Sequence, residues 1–240
     1  QKTAYERDVT GVQTCALPIL SAVDLPRRIA LVHDWLTGMR GGEKVLEVLC
    51  ERFPQAEIFT LLHVPGSVSP VIERLPIHTS FVQHLPSVAT RYRSYLPLFP
   101  FAIERLRLDG FEFILSTSHC CAKSVIRPRD AVHLCYCFTP VRYAWDQFDA
   151  YFGRDQVGPM RHALMRPAMA WLRRWDRRTA VRPDRYVAIS HYVAGRIGRY
   201  YNREAEVLYP PVDTAFFTPE DRKSTRLNSS HITISYAGFC

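Results

Sequence analysis

The sequence predicts an α/β fold with a Rossmann-like, doubly wound and mainly parallel sheet. Two observations lead to this class: short apolar runs rich in β-branched residues alternate with amphipathic helical patterns, and polar residues follow several of those runs. Strands that alternate with helices form parallel sheets covered on both faces. With 240 residues, 47% of them hydrophobic, the chain is long and apolar enough for a packed core.

The first half of the chain contains three predicted strands and two predicted helices. The strands are RIALVHDW (28–35), AEIFTLLH (56–63) and the weaker IHTSFVQ (77–83). A helix over 43–53 carries its apolar residues on one face, namely Val45, Leu46, Leu49 and Phe53. A second helix is predicted over 95–108, where Pro97 and Pro100 disturb the first turns because proline lacks the N–H donor.

The second half contains four more predicted strands. They are FEFILSTSH (111–119), AVHLCYCF (131–138), RYVAIS (185–190) and AEVLYPPVD (205–213), the last of which stops at Pro210 and Pro211. Ser190 is placed to cap a helix over 191–201, because a serine hydroxyl accepts a hydrogen bond from the first turn.

Polar residues collect after three of these strands. His33 and Asp34 follow the first strand, residues 116–119 end the fourth, and residues 139–146 follow the fifth. Ligands of doubly wound sheets bind outside the carboxyl ends of the strands, where the strand order reverses. The sequence therefore predicts a ligand site at this edge of the sheet.

Three glycines, Gly38, Gly41 and Gly42, separate the first strand from the first helix. Glycine lets backbone N–H groups at a helix N-terminus approach an anion, but it is also what a tight turn requires. The G-x-x-G-G spacing is not the dinucleotide fingerprint, and no Gly-Lys-Ser/Thr of a P-loop follows. Both interpretations stay open from the residues alone.

Both ends of the chain differ from its middle. RDVTGVQTCALPI (7–19) and RKSTRLNSSH (222–231) resemble translated sequencing-adapter DNA, so residues 1–20 and 222–240 are expected to be non-native and to pack poorly. These two segments carry five basic and two acidic residues, so without them the formal charge falls from +8 to +5. The remaining chain is moderately basic.

Five of the seven cysteines lie outside these end segments, at positions 50, 120, 121, 135 and 137. The count is odd and no CxxC pair is present, so buried, unbridged thiols without metal are predicted. A metal or redox site is the alternative, because Cys135 and Cys137 share one strand face.

No apolar run reaches the roughly 18 residues of a spanning helix, and the first twenty residues lack the order of a signal peptide. We therefore expect a soluble, cytoplasmic protein. Peripheral contact at the inner face of the plasma membrane is an open alternative.

The segment 160–185 is rich in arginine and aromatic residues. Its arginines are Arg161, Arg166, Arg173, Arg174, Arg177, Arg178, Arg182 and Arg185, interleaved with Leu164, Met169, Trp171, Leu172 and Trp175. It fits a basic amphipathic surface for anionic lipid, or an ordinary helix with its tryptophans in the core. No recognised module accompanies the charge, so nucleic acid is not expected as a partner.

Five ordered stretches carry a family resemblance: ALVHDWLTGMRGGEKVLEVLCERFP, STSHCCAKSVI, CYCFTPVRYAWD, VAISHYVAGRIGRYY and EVLYPPVDTAFF. Over residues 27–219 the chain resembles the N-terminal, acceptor-side domain of bacterial family-4 glycosyltransferases of the GT-B type. It is most similar to mannosyltransferase-like members of surface polysaccharide assembly.

This resemblance implies a function and a set of site residues. The parent would move a hexose, mannose from GDP-mannose, to a lipid-linked saccharide with retention of configuration, without a cofactor or a metal. Gly38, Gly41 and Gly42 match the turn that approaches the donor diphosphate, and His119 is assigned as the catalytic residue. The residues that match the cleft and acceptor positions are His33, Asp34, Ser118, Lys123, Phe138, Thr139, Arg142, Tyr143 and Trp145.

Two features depart from the family pattern. The family is expected to have a histidine that contacts the donor sugar where this chain has Phe138, so either His119 supplies that contact or the activity is altered. The donor-binding C-terminal domain of the family is expected to be absent from this sequence, because the adapter-like tail begins at Arg222. The fragment alone is therefore expected to be inactive.

Two other function classes compete with a glycosyltransferase domain. One is a non-catalytic module that binds the acceptor or docks on membranes. The other, a dinucleotide-dependent oxidoreductase, is disfavoured because G-x-G-x-x-G is missing and LLHVPGS offers no acidic ribose-binding residue.

Overall fold

The computed structural model describes residues 26–146, 148, 150, 155 and 158–212, which form one sheet flanked by helices. Its strands are β1 (Ile29–His33), β2 (Glu57–Thr60), β3 (Ile77–Thr79), β4 (Phe113–Ser118), β5 (Val132–Cys137), β6 (Arg185–Ala188) and β7 (Glu206–Val207). All neighbouring strands are parallel, in the order β3-β2-β1-β4-β5-β6-β7. The predicted α/β class with a doubly wound, parallel sheet is confirmed. The expectations for segments 1–20, 213–219 and 222–240 fall outside the described residues.

Helices cover both faces of this sheet. Those in the described residues are α1 (Gly41–Arg52), α2 (Pro70–Glu73), α3 (Val88–Arg91), α4 (Phe99–Glu104), α5 (Arg142–Trp145), α6 (Pro159–Thr179) and α7 (His191–Tyr201). Helix α7 has the predicted bounds, and the Ser190 hydroxyl accepts a hydrogen bond from the Val193 N–H at 3.3 Å, which confirms the predicted cap. None of the helices described combines the length with the apolar character that crossing a bilayer requires.

The predicted helix over 95–108 is wrong in its extent. A 3-10 helix, Tyr92–Leu98, leads into α4, which ends at Glu104. Pro97 lies inside the 3-10 helix, whereas Pro100 lies in the first turn of α4, where the missing N–H costs no helical hydrogen bond. The two prolines therefore divide what the apolar pattern presented as one helix.

Alternate residues of the central strand β1 pack into two different cores, as the twofold period of a strand requires. Ile29 and Leu31 pack in a cluster with Leu46 of α1, whereas Ala30 and Val32 pack in a cluster with Trp175 of α6. All of β1 is buried. Its run of apolar residues was therefore a reliable signal for a strand covered on both faces.

The cysteines outside the end segments are free and buried. Cys135 and Cys137 lie on the face of β5 that packs against α7, together with Tyr186 and Ile197. Their thiols therefore belong to the apolar core, in agreement with the predicted burial.

The strand order reverses beside β1. The chain moves from β1 to β2 and β3 on one side, and then returns to place β4 and the later strands on the other side. The carboxyl ends of β1 and β4 consequently flank the switch point, which is where this fold class is expected to have its ligand crevice.

Candidate functional site at the switch point

The structure brings part of the predicted site together at the carboxyl edge of β1, β4 and β5. Ring centroids of His33 and His119 are 6.1 Å apart, and those of His119 and Phe138 are 6.4 Å apart. Gly42 lies against the same group, because a Cβ added there would be 3.3 Å from the Phe138 ring and 3.5 Å from the His33 ring. Residues from three strands and one helix thus converge at the crevice.

Asp34 connects the end of β1 to the turn after β4. Its carboxylate is fully buried and accepts four main-chain N–H groups at 2.6–2.8 Å, those of His119, Cys120, Cys121 and Ala122. Burial acts to raise the pKa of Asp34, but His119 and these N–H donors outweigh it and hold the pKa below its ordinary value. Asp34 is therefore an ionised group that fixes the β4 turn.

His119 lies over this carboxylate at the mouth of the crevice. Its Nδ1 is 3.1 Å from Asp34 Oδ2, its side chain is 25% exposed, and its ring meets Trp35 edge-on at 4.4 Å. Burial lowers the pKa of His119 below its ordinary value, although the charge of Asp34 acts in the opposite direction. Burial therefore favours the neutral form of the ring.

His33 and Glu43 form a buried pair behind Gly42. His33 Nδ1 is 2.7 Å from Thr117 Oγ1, while its Nε2 is buried without a hydrogen-bond partner, 3.9 Å from Glu43 Oε1. Burial acts to raise the pKa of Glu43, but His33 outweighs it and holds this pKa below its ordinary value. Glu43 is not among the site residues predicted from the sequence, where the helix was expected to begin at this residue rather than at Gly41. A charged residue directly after a double glycine was the available signal.

The three glycines have different surroundings. Gly38 has φ +154°, a backbone conformation that favours glycine, and a Cβ there would meet no atom within 4 Å. Gly41 and Gly42 are the first residues of α1, and within the described chain their N–H groups donate no hydrogen bond. At Gly42 the neighbours that approach closely are the protein's own rings, His33 and Phe138. A tight turn and a free helix N-terminus therefore coexist in this loop.

Two predicted cleft residues point into a buried network beneath α6. Lys123 Nζ pairs with Asp176 Oδ1 at 2.9 Å, and both side chains are buried. Trp145 donates its Nε1–H to the other oxygen of Asp176 at 2.7 Å and stacks on Tyr200. Both side chains are therefore directed toward the carboxylate of Asp176, and their place at the cleft stays a prediction.

The other predicted site residues differ in how far they are exposed to solvent. Ser118 is buried at the end of β4, and Thr139 is a buried hydroxyl that accepts a hydrogen bond from Arg196. Arg142 and Tyr143 begin α5 and are partly buried. Burial raises the pKa of Tyr143 well above its ordinary value, so its hydroxyl stays protonated.

A metal is the other chemistry that this edge could support. Asp34, Cys120 and Cys121 place one ligand atom each within 4.8 Å of one another. The two Asp34 oxygens already accept four N–H groups, and burial raises the pKa of Cys121 well above its ordinary value, which disfavours the thiolate that a metal requires. The contacts of these three residues are therefore those of a carboxylate held by hydrogen bonds rather than of a metal centre. That the chain binds no metal stays a prediction.

A comparison with protein-family models matches none of them, and a comparison with curated proteins gives no significant match. Among solved structures, the chain is similar to the apo form of the lipopolysaccharide outer core galactosyltransferase WaaB, at 13% identity and a TM-score of 0.44, over 81% of this chain and 49% of that one. It is also similar to Anabaena HepE in complex with UDP, at 10% identity and a TM-score of 0.47, over 85% and 49%.

A third similar structure is the glycotransferase of kitacinnamycin, at 18% identity and a TM-score of 0.31, over 69% of this chain and 46% of that one. The chain spans about half the length of each of the three structures. Similarity at these identities and TM-scores does not by itself assign an activity to this chain.

Proposed function

We propose that this chain is the acceptor-side domain of a GT-B glycosyltransferase, whose parent transfers a hexose from a nucleotide sugar. The observation that carries the proposal is the N-terminus of α1, where the N–H groups of Gly41 and Gly42 are unused and open at the switch-point crevice. A helix N-terminus carries about half a positive charge. Fixed N–H dipoles of this kind stabilise the charge that a diphosphate leaving group develops as the glycosidic bond breaks.

The negative charge of Glu43 weakens the binding of a diphosphate at this turn. Glu43 is ionised and buried in the first turn of α1, where one of its oxygens accepts the Arg40 N–H at 3.2 Å. Its negative charge offsets the helix dipole, so tight donor binding requires further positive charge from a second domain. For this chain alone we expect dissociation constants of about 1 mM or weaker for nucleotide sugars, about −4 kcal/mol.

The identity of the substrates rests on the sequence resemblance. We propose GDP-mannose as the donor, a lipid-linked saccharide as the acceptor, retention of configuration and no obligatory metal. His119 takes the polar contact with the donor sugar, because the Phe138 side chain has no hydrogen-bonding atom. The partly buried Phe138 instead offers an apolar wall next to Gly42.

Transfer of a labelled sugar to a lipid-linked oligosaccharide by the full-length parent tests this function. We expect Gly42→Val to abolish transfer, His119→Ala to lower it and Phe138→His to keep or raise it. Gly195→Ala on the exposed face of α7 is the matched control, because a Cβ there meets nothing within 4 Å. Transfer by Gly42→Val at the wild-type rate would show that the assigned role of the turn is wrong.

The valine in Gly42→Val could also abolish transfer by colliding with Phe138 inside the protein, so two controls separate this effect from exclusion of the diphosphate. The circular dichroism spectrum and the melting temperature of Gly42→Val show whether the variant is folded. The double variant Gly42→Val/Phe138→Ala removes the ring that a Cβ at position 42 would touch, at 3.3 Å. If transfer returns in the double variant, the loss came from internal packing and not from exclusion of the diphosphate.

A second candidate function, docking on anionic membrane, is favoured by the surface of α6. Trp171 is 40% exposed and stacks at 5.7 Å on Phe101, which is 47% exposed. Arg174 and Arg178 are exposed and lie three and seven residues after Trp171, on the same helix face. An exposed aromatic pair beside arginines matches the apolar and electrostatic parts of interfacial binding.

Sedimentation with vesicles tests this second function. We expect the chain to sediment with vesicles of anionic lipid and to dissociate as salt rises, because salt screens exposed charges. Trp171→Ala should weaken the binding, whereas Tyr192→Ala, which changes an exposed aromatic residue on α7, should not. Equal partition to neutral and anionic vesicles would contradict membrane docking.

A further inference from the structure

We propose that Asp34 is a positioning residue that holds the hydrogen of the His119 ring on Nδ1, so that His119 Nε2 accepts a hydrogen bond from a hydroxyl group of the bound saccharide. The identity of the ligand rests on the proposed function. The position of the hydrogen on Nδ1 does not, because it follows from the contact between the ring and the Asp34 carboxylate.

Asp34 holds both the main chain and the side chain of His119. Its Oδ2 accepts the His119 N–H at 2.7 Å and lies 3.1 Å from the ring Nδ1 of the same residue. Its Oδ1 accepts the N–H groups of Cys121 and Ala122. The carboxylate is fully buried, so water does not compete for these bonds. Two attachment points on one residue fix the direction of the ring as well as its position.

The carboxylate also selects the tautomer. An ionised carboxylate only accepts hydrogen bonds, so the ring nitrogen that faces it must carry the hydrogen. His119 Nε2 is then an acceptor, and it has no hydrogen-bond partner among the described residues. A side chain that is 25% exposed at the mouth of the crevice is accessible to a ligand.

Groups of both charge signs face the His119 ring. The anionic groups that face His119 are Asp34 from the end of β1 and Glu43 from α1, and both favour a protonated ring. His33 from β1 and Arg142 from α5 oppose protonation, as does burial of the ring. Saccharide hydroxyls are hydrogen-bond donors, so they match an unprotonated nitrogen beside the apolar surfaces of Trp35 and Phe138.

Nitrogen-15 spectra of the histidine side chains in this chain test the tautomer without any activity. The chain has nine histidines, and the His119 signals are those that disappear in His119→Gln. His78→Gln, a change of an exposed histidine on the sheet edge, should remove a different set. At pH 7 we expect Nδ1 of His119 to be protonated and Nε2 to be unprotonated. A protonated Nε2, in either the other tautomer or a cationic ring, would overturn the proposal.

Asp34→Asn tests the cause of the tautomer. We expect the single tautomer of His119 to be lost, while the signals of His133, whose Nε2 bonds Ser116 at 2.8 Å on another part of the sheet, stay unchanged. Unchanged His133 signals show that the variant is folded. An unaltered His119 tautomer in a folded Asp34→Asn variant would overturn the role of Asp34. If the variant does not fold, the wild-type tautomer still decides the proposal.

Kinetics of the full-length parent test the hydroxyl contact. Asp34→Asn and His119→Gln should each lower kcat/KM by about tenfold or more, and the double variant should be no worse than the poorer single variant, because both changes remove the same contact. Additive losses, or wild-type rates, would overturn the contact. If the full-length parent transfers no sugar, both the proposed function and the saccharide as ligand are wrong. The tautomer of His119 is measured without any transfer, so it shows separately whether Asp34 positions the His119 ring.

Discussion

The ion pair between Lys123 and Asp176 allows a sharp test of what holds α6 to the sheet. Lys123 Nζ lies 2.9 Å from Asp176 Oδ1 and 2.9 Å from the Asp176 carbonyl oxygen, and it also contacts the hydroxyls of Ser124 and Thr179. The exposed fractions of the two charged side chains are 1% and 0%. Lys123→Met removes the ammonium group but keeps an unbranched apolar chain of similar length.

The expected loss follows from what remains around Asp176. Without Lys123, the buried carboxylate keeps two neutral donors, Trp145 Nε1 at 2.7 Å and Tyr201 OH at 3.0 Å. Breaking a buried ion pair from one side costs about 3–5 kcal/mol, and these donors place the change at the lower end, about 3 kcal/mol. Against a typical unfolding free energy of about 5–15 kcal/mol, this is a large fraction.

Urea unfolding of the wild-type chain and its variants measures this change. Lys44→Met is the matched control, because Lys44 is 65% exposed in its side chain and pairs with Glu47 at 3.1 Å on the surface of α1, where we expect a change within about 0.5 kcal/mol. The double variant Lys123→Met/Asp176→Leu should regain part of the loss, since no unpaired charge is left buried. A loss below about 1 kcal/mol for Lys123→Met would refute the reasoning.

Three further predictions concern a glycine pair, the thiols and a buried histidine. Gly195→Ala should raise the free energy of unfolding by about 0.5–1 kcal/mol, because the added Cβ meets no other atom. Gly42→Ala should raise it less or lower it, because its Cβ would lie 3.3 Å from the Phe138 ring. Equal increases of the two variants in urea unfolding would contradict this packing. Burial raises the pKa of Cys50 to about 12, so a thiol reagent at about pH 8 should modify this residue only after denaturant is added. Rapid modification of Cys50 in the folded chain would show that the thiol is not buried. Burial lowers the pKa of His133 to about 3, so between about pH 6 and pH 3 the unfolded chain binds a proton that the folded chain does not. The free energy of unfolding should therefore fall by up to about 1.4 kcal/mol for each unit by which the pH is lowered in this range. The comparison is with His133→Asn, whose urea midpoint should depend less on pH, and identical pH dependence would contradict the assignment.

The sequence was most informative about the sheet. Buried strands of a doubly wound fold are short apolar runs, so β1, β4 and β5 left clear local patterns, and the polar residues after them lie at one edge because parallel strands end on the same side. The Ser190 cap is equally local, since its hydrogen bond spans three residues.

The partners of the buried charges could not be read from local patterns. Asp34 pairs with N–H groups 85–88 positions away, and Lys123 pairs with Asp176 from a different helix. Pairs of this kind depend on which elements the fold brings together, and a charged residue in the sequence gives no sign of its partner. The family resemblance placed Lys123 at the cleft, and it gave no sign that the side chain pairs with the buried Asp176.

Titration of this chain with GDP-mannose, followed by amide chemical shifts, tests the central claim most directly. If the N-terminus of α1 is the diphosphate site, the amide signals of Gly41 and Gly42 should move together with half-saturation at about 1 mM or above, and added salt should weaken the shift. Mannose without the nucleotide should leave both signals in place. If GDP-mannose at about 10 mM shifts other amides but neither of these two, the donor does not bind at this turn and the account of the site is wrong.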